Sequence, residues 1–177
     1  VVGLWFNVVI ACFLVGAATG GVVFGWLGDR IGRVRAMSLS VLTYAVFTGL
    51  CGVVADIQIG EFVFSGAIQL GLLRFIASIG MGGEWASGAA LVSETWPAEH
   101  RGKALGLMQS AWAVGYGLAA LVTGLVLPAF GWRAVFFVGL LPALFTLWIR
   151  RSVAEPEAWV AIGGAGMSAV ARLLLAR

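Results

Sequence analysis

Long stretches without a single charged residue are the feature that most limits what this chain can fold into. Residues 1–27 and 36–55 carry no Asp, Glu, Lys or Arg. Each stretch is close to the roughly 20 apolar residues that a helix needs to cross the hydrocarbon core of a bilayer. Over all 177 residues, 61% are apolar and only 11% are charged, whereas about a quarter of residues are charged in soluble domains. The chain is therefore predicted to be an all-α integral membrane protein.

Five segments are long and apolar enough to be predicted as transmembrane helices. They lie at about residues 1–27, 36–55, 62–93, 104–127 and 134–149. Pro97, in the link ETWPAEHRGK, cannot continue a helix, and the link PAFGWR is predicted to turn the chain again. Residues 1–151 are thus expected to form one partial bundle, and residues 152–177 a cytoplasmic tail or the start of an interdomain linker. Because it begins with Val rather than Met, the chain is expected to be a fragment.

The cationic residues of the links predict which side of the membrane each link faces. If residues 28–35 are cytoplasmic, alternation of the helices puts all but one of these cations on the same side. They are Arg30, Arg33, Arg35, Arg101, Lys103, Arg150 and Arg151, with only Arg133 opposite. Since cytoplasmic loops are enriched in Lys and Arg, residues 28–35, 94–103 and 150–177 are predicted to be cytoplasmic in a multi-pass protein of the inner cell membrane.

The same distribution argues against several other classes of protein. The basic residues form no continuous stripe, so a nucleic-acid partner is not expected. Cys12 and Cys51 lie inside apolar runs without metal-ligand spacing, so neither a metal nor a cofactor is predicted. No set of acid, base and nucleophile with suitable spacing is visible, and the chain is not expected to be an enzyme.

The stretch GWLGDRIGRVR, residues 25–35, gathers one Asp and three Arg between two apolar runs. Asp29 is predicted at the C-terminal end of the first helix, where the helix dipole disfavours an acid by about 0.3–1 kcal/mol. It therefore needs a partner, which could be a neighbouring Arg, Arg101 across the bundle, or the N-terminus of another helix. Gly28 and Gly32 would allow a tight link. A solvated loop with an incidental Asp is the competing interpretation.

Three stretches resemble signature motifs of the major facilitator superfamily. GWLGDRIGRVR is similar to the loop between helices 2 and 3, RFIASIGMGGEW (residues 74–85) to the fourth helix, and ETWPAEHRG (residues 94–102) to the link before the fifth. The resemblance implies helices 2 to 6 of a twelve-helix transporter whose first helix and second half are absent from the chain. It implies a conformational latch at the motif residues Gly25, Gly28, Asp29, Arg30, Gly32, Arg33, Glu94 and Arg101.

Among relatives of this kind, the GGEW stretch and the SETWPAEHRG link look most like those of bacterial proton symporters for organic acids, followed by sugar porters. The implied function is secondary active transport of a small organic solute by alternating access with proton symport. The implied partners are that solute, protons, the lipid bilayer and the missing C-terminal half. The alternative hypothesis is a membrane-embedded sensor or interaction protein that uses a transporter-like half without transport.

Five polar or aromatic residues inside the predicted helices are candidates for the substrate or proton pathway. Arg74 could contact an anionic substrate or a coupling carboxylate, or could bond to carbonyls of a neighbouring helix. Glu84 could exchange protons, or could belong to the latch with Glu94 and Arg101. The others, at helical spacing on one face, are Gln109, Trp112 and Tyr116. By the resemblance to sugar porters Gln109 would contact substrate, while an interhelical hydrogen bond is its plainer use and packing that of Trp112.

Overall fold

The structure, a computed structural model, describes residues 2–59, 62–156 and 160. It consists almost entirely of helices, which confirms the predicted all-α class. The elements in chain order are α1 (Val2–Ile31), α2 (Arg33–Leu50) followed by a 3-10 turn (Cys51–Val53), β1 (Ile57–Ile59), β2 (Phe62–Phe64), α3 (Gly66–Thr95), α4 (Arg101–Val138) and α5 (Leu141–Ser152). Most of the tail predicted at residues 152–177 lies outside the described residues.

Within the described part of the chain, four helical stretches are long and apolar enough to cross a membrane. They are Phe6–Ile31, Arg33–Val53, Gly66–Thr95 and Arg101–Leu144. The last is 44 residues long, which corresponds to about 66 Å of helix and about twice the thickness of the hydrocarbon core. It therefore contains the fourth and fifth predicted crossings joined together.

The junction between those two crossings is at Gly131, where the backbone leaves helical geometry with φ of 77° and ψ of 175°. Pro128 lies inside α4 three residues earlier, where its missing N–H already weakens the helix. The predicted break at PAFGWR is thus a kink at one glycine rather than a loop between residues 127 and 134. After the kink, the Arg133 Nη2 group donates to the Val54 carbonyl at 3.3 Å, so the chain returns along α2.

The connection from α1 to α2 is also made at a single glycine. Gly32 has a φ of 109°, which residues with a side chain rarely adopt. Helical structure continues to Ile31 and resumes at Arg33, so both helices extend further than the predicted ends at residues 27 and 36. Asp29 consequently lies in the last turn of α1. We call the end of the bundle that contains this turn the Arg33 end.

Two short paired strands precede α3, where the sequence predicts a polar link followed directly by helix from about residue 62. β1 and β2 pair antiparallel, with Ile57 opposite Phe64 and Ile59 opposite Phe62. β-branched and aromatic residues dominate both strands, which favours extended backbone. The start of α3 is set instead at Ser65, whose side chain accepts from the Ile68 N–H. The prediction that the third helix begins at residue 62 is therefore wrong.

The closest packing in the bundle joins α1 to α3, and glycine makes it possible on both helices. A Cβ at Gly20 would overlap the carbonyl oxygen of Ile79, and a Cβ at Gly82 would overlap the carbonyl oxygen of Ala17. Small residues matter in a bilayer because no hydrophobic force drives helices together there, so backbone contact must supply the attraction. Gly20 and Gly82 therefore give the two helices the close backbone contact on which their association in a bilayer depends.

The fourth helix is different, since almost all of its side chains are exposed and Ala104 is the buried residue among those described. Small residues at helical spacing, which would allow another helix to pack closely, are also present on this helix, but Gly102, Gly106 and Gly117 have no described atom within 4 Å of a would-be Cβ. Large apolar side chains such as Leu107 and Leu125 are likewise exposed. This face of the bundle is therefore left to lipid or to protein outside the described residues.

The α1–α3 contact predicts that Gly20→Ala lowers the stability of the complete protein, whereas Gly21→Ala does not. The Gly20 methyl group would press on the Ile79 backbone, while the nearest atom to a Cβ at Gly21 is the Gly82 oxygen at 3.8 Å. We expect Gly20→Ala to cost about 1–3 kcal/mol, as overpacked sites do. Thermal unfolding of the purified protein in detergent measures this. Equal midpoints for the two variants would contradict the assignment of the contact.

Candidate functional site

At the Arg33 end, one guanidinium group connects the ends of three helices. Arg33 Nη1 lies 2.7 Å from Asp29 Oδ1, and Nη2 lies 2.9 Å from Glu94 Oε1. The Arg33 Nε group donates to the same Glu94 oxygen at 3.0 Å. The Arg33 side chain is only 16% exposed, so these bonds are partly shielded from water. Asp29 belongs to the last turn of α1, Arg33 begins α2, and Glu94 lies in the last turn of α3.

The helix dipoles explain why these charges occur together. Asp29 and Glu94 both lie at C-terminal helix ends, where unpaired carbonyls make an acid unfavourable. A shared cation compensates both acids at once. The second carboxylate oxygen of Glu94, Oε2, is buried and accepts no hydrogen bond from the described residues. The arrangement therefore holds α1 and α3 together while leaving one acceptor unused.

Of the three kinds of partner considered for Asp29, the structure shows a neighbouring Arg, namely Arg33. Arg101 donates from Nε to the Trp96 carbonyl at 3.1 Å and so satisfies the C-terminal end of α3. Arg30 lies over the Trp26 ring, 4.1 Å from its centroid.

The predicted latch glycines have unequal surroundings. A Cβ at Gly28 would lie 3.2 Å from Arg33 Nη1, so the absence of a side chain there gives the guanidinium its space. Gly25 faces open space among the described residues. Its place in the motif is therefore not explained by packing within this part of the chain.

A second acid at the Arg33 end, Glu155, caps the N-terminus of α2. Its Oε2 accepts from the Val34 N–H at 3.0 Å and its Oε1 accepts from the Arg35 N–H at 3.2 Å. A carboxylate at this position also interacts favourably with the positive end of the helix dipole. Gly32 is necessary here for a second reason, because a Cβ at this residue would collide with the Glu155 carboxylate. The segment after α5 is thereby attached to the α1–α2 turn.

Midway along the bundle, a polar and aromatic patch lies on α3 and α4. The Trp85 Nε1 group donates to Gln109 Oε1 at 3.2 Å. On α4, the rings of Trp112 and Tyr116 meet edge to face with centroids 5.4 Å apart. We call these four residues the central patch. Trp85 and Gln109 lie ten and eight residues from the helix ends at Thr95 and Arg101, or about 15 and 12 Å along the helices.

Arg74 and Glu84, the charged candidates of α3, are separate from the central patch in their contacts. The Arg74 guanidinium carbon lies 5.1 Å from the centroid of the Phe136 ring, within the range of a cation–π interaction. Arg74 is thus associated with the returning part of the chain after the kink. Glu84 makes no ion pair with any residue that the structure describes. It lies ten residues before Glu94, about 15 Å along the helix, so it does not contact the Arg33 cluster.

Among the described residues, no group of three His, Cys, Asp or Glu side chains is close enough to hold a metal ion. Cys12 and Cys51 are both free thiols.

Comparison with known proteins identifies the family. Residues 2–175 match the sequence profile of the Major Facilitator Superfamily. The chain belongs to this superfamily. It is 44% identical over 144 residues to a metabolite transport protein of Haemophilus influenzae, an alignment that covers 81% of this chain and 33% of that protein. It is 38% identical over 146 residues to the cis,cis-muconate transport protein of Acinetobacter baylyi, covering 82% of this chain and 33% of that protein.

Among solved structures, the chain resembles the inward-open xylose transporter of Escherichia coli, with a TM-score of 0.69. The match covers 94% of this chain and 43% of the other. At 23% identity it shows that the superfamily fold is shared and nothing about substrate. The chain spans about a third of the length of the curated relatives it matches. Together with the four membrane-length helices, these comparisons establish a multi-pass membrane protein containing part of the superfamily's N-terminal bundle.

Glu155 and Trp85 take part in these contacts but are not among the residues that the sequence predicts. Glu155 lies beyond the last predicted helix, in a segment that composition alone marks as a tail. Trp85 belongs to the superfamily-like GGEW stretch, yet its partner Gln109 is 24 residues away on another helix. Hydrophobic periodicity predicts which residues share a face of one helix. It does not predict which residues of two different helices are in contact. The N–H groups at the start of α2 have no acceptor within their own helix, and this is the signal in the sequence for a capping acid.

The cap at α2 predicts that Gly32→Ala destabilises the complete protein more than Gly28→Ala does. An alanine at residue 32 would have to adopt a φ near 109° and would displace the Glu155 carboxylate. The first effect alone costs about 1–3 kcal/mol, and loss of a helix cap costs about 1 kcal/mol. At residue 28 the nearest atom is the end of a flexible Arg33 side chain. Unfolding midpoints in detergent compare the two variants, and a larger loss for Gly28→Ala would contradict this account.

Proposed function

We propose that this chain forms part of the N-terminal helical bundle of a secondary active transporter that moves a small organic acid across the inner membrane. Membership of the superfamily supports transport, and the similarity to the cis,cis-muconate transport protein favours an organic acid over a sugar. Because the chain spans about a third of its relatives, the site in this proposal is completed by a second helical half.

The observation that carries the proposal is the central patch. The Trp85–Gln109 pair of this patch lies about 12–15 Å from the Arg33 end, near half the depth of a hydrocarbon core of about 30 Å. An amide such as that of Gln109 is unfavourable against lipid, so polar side chains at this depth face protein or a water-filled cavity. Gln109 is nevertheless exposed in the described chain. A cavity between two helical halves, with the solute bound near the bilayer midplane, accounts for both facts.

In this proposal the Arg33 end faces the cytoplasm. The end holds most of the cations of the short links, while Arg133 lies at the opposite end beside Val54. The positive-inside rule then places residues 28–35, 94–103 and 150–177 in the cytoplasm.

The Arg33 cluster acts as a latch between the transport states. Alternating access requires the two helical halves of a transporter to rock about a central site, and charged contacts at one end stabilise the state in which that end is closed. Arg33 joins α1 to α3, and Glu155 attaches the segment after α5 to α2. When the helix ends move relative to one another, these bonds therefore either break or keep the bonded residues moving together. The unused Glu94 Oε2 offers an acceptor to a donor from the second half.

Glu84 is the residue we assign to the proton-coupled step. It is half-buried in α3 and makes no ion pair with any residue described in the structure. A carboxylate without a fixed cation partner inside a membrane bundle can be protonated without first breaking an ion pair. Arg74, which packs on Phe136, is assigned a structural role in this scheme.

The proposal predicts uptake of organic acids by the complete protein. Membrane vesicles that contain it should accumulate labelled cis,cis-muconate or benzoate above empty vesicles when the outside is acidified, and should not accumulate D-xylose. Collapse of the proton gradient by an uncoupler should abolish accumulation while leaving counterflow intact. A protein that binds these acids but moves none of them would favour the alternative hypothesis of a sensor.

The latch predicts that Glu94→Gln opens the Arg33 end. The variant removes a charge-assisted bond to Arg33, a type of bond that is worth about 1.5–3 kcal/mol, so the population of the state open at that end should rise. Labelling of a single cysteine at Gly102 by a membrane-impermeant maleimide, with Cys12 and Cys51 replaced by Ser, reports this accessibility. Glu99→Gln is the matched control, because Glu99 is exposed in the same link. Equal labelling rates in both variants would remove the latch.

A further inference from the structure

The contact between Trp85 and Gln109 determines which way round the Gln109 amide lies. The indole Nε1–H of tryptophan can donate a hydrogen bond but cannot accept one. Since this group lies 3.2 Å from Gln109 Oε1, the amide oxygen must face the indole. The two ends of a glutamine amide are otherwise nearly interchangeable. The tryptophan therefore removes an ambiguity that glutamine has at most positions.

As a consequence, the Nε2 donors of Gln109 face away from Trp85 and toward any solute that binds beside the central patch. The Nε2 group of Gln109 carries two N–H donors. This nitrogen donates no hydrogen bond to any residue that the structure describes. The other nearby groups, the rings of Trp112 and Tyr116, offer mainly apolar surface. A solute that binds here meets fixed donors beside an aromatic wall.

We propose that Trp85 is a positioning residue that holds the Gln109 amide with its donors toward the solute, and that it thereby makes the site selective for a carboxylate over the matching carboxamide. This inference rests on the proposed function of the central patch. A carboxylate accepts through both oxygens, and charge-assisted bonds to it are about twice as strong as neutral ones. A carboxamide can accept only through its one oxygen, and its own N–H groups find no acceptor on Gln109, whose oxygen faces Trp85.

Without Trp85, the Gln109 amide is free to turn over. Its oxygen then accepts from a carboxamide as readily as its nitrogen donates to a carboxylate. A site built to satisfy a particular donor or acceptor discriminates because the wrong ligand leaves a buried group unpaired. The loss of Trp85 should therefore affect the ratio of two affinities more than it affects either affinity alone.

The test measures binding to the purified complete protein by calorimetry, with two matched pairs of probes, benzoate against benzamide and cis,cis-muconate against its diamide. The unaltered protein should prefer the acids by about tenfold or more, and Trp85→Phe should reduce that preference about tenfold. Gln109→Glu keeps the acceptor for the indole but replaces both donors with a charge, so it should lose binding of the acids. Trp148→Phe makes the same change at an exposed tryptophan of α5 and should leave the ratio unchanged.

Trp85 is 63% exposed in this chain, so the Phe variant is expected to fold, and its unfolding midpoint checks this. The role of Trp85 is overturned if Trp85→Phe has the acid-to-amide ratio of the unaltered protein, if that protein shows no preference, or if Gln109→Glu still binds the acids. The proposed function fails separately, when the acids bind with the predicted preference but vesicles show no uptake.

Discussion

The contact between the backbones of α1 and α3 is the constraint on which the rest of the arrangement depends. Gly20 and Gly82 allow each helix to touch the other's carbonyl oxygens, and in a bilayer such contact replaces the hydrophobic force that joins helices in water. With α1 and α3 this close, the acids in their last turns, Asp29 and Glu94, lie within reach of one Arg33 side chain. Bulk at the glycines would therefore separate the charges as well as the helices.

The charges at the Arg33 end depend on one another, because each compensates the unfavourable interaction of another with its helix dipole. Asp29 and Glu94 are acids at C-terminal helix ends, and Arg33 is a cation at the N-terminal end of α2, so all three oppose their own helix dipoles. Glu155 completes the compensation by binding two N–H groups at that N-terminus. Residues that share a network do not contribute additively. A neutralising change at any member leaves the others in unfavourable positions, which is a property suited to a switch between two states.

The sequence predicts well the features that depend on a single helix, and it predicts poorly the features that depend on contacts between two helices. Charge-free runs located the spanning helices, and the cost of an acid at a helix end correctly required a partner for Asp29. The strands Ile57–Ile59 and Phe62–Phe64 are not predicted, because a few β-forming residues next to a predicted helix carry little periodic signal. The kink at Gly131 is predicted only as a turn within the link PAFGWR, since Pro128 and Gly131 indicate a break without indicating its length. Glu155 was missed because its partners are about 120 residues away.

The exposed face of α4 limits what can complete the bundle. Apolar residues such as Leu107 and Leu125 are compatible with either lipid or protein, but an exposed amide at Gln109 is compatible only with protein or water. Because the oxygen of that amide is already occupied by Trp85, the surface opposite has to supply acceptors, from a solute, from water or from side chains of a second half. A helix with only apolar residues cannot pack there without leaving two donors unpaired, at a cost of about 1–3 kcal/mol for each buried group. Whatever packs against Gln109 is therefore expected to be polar at that point.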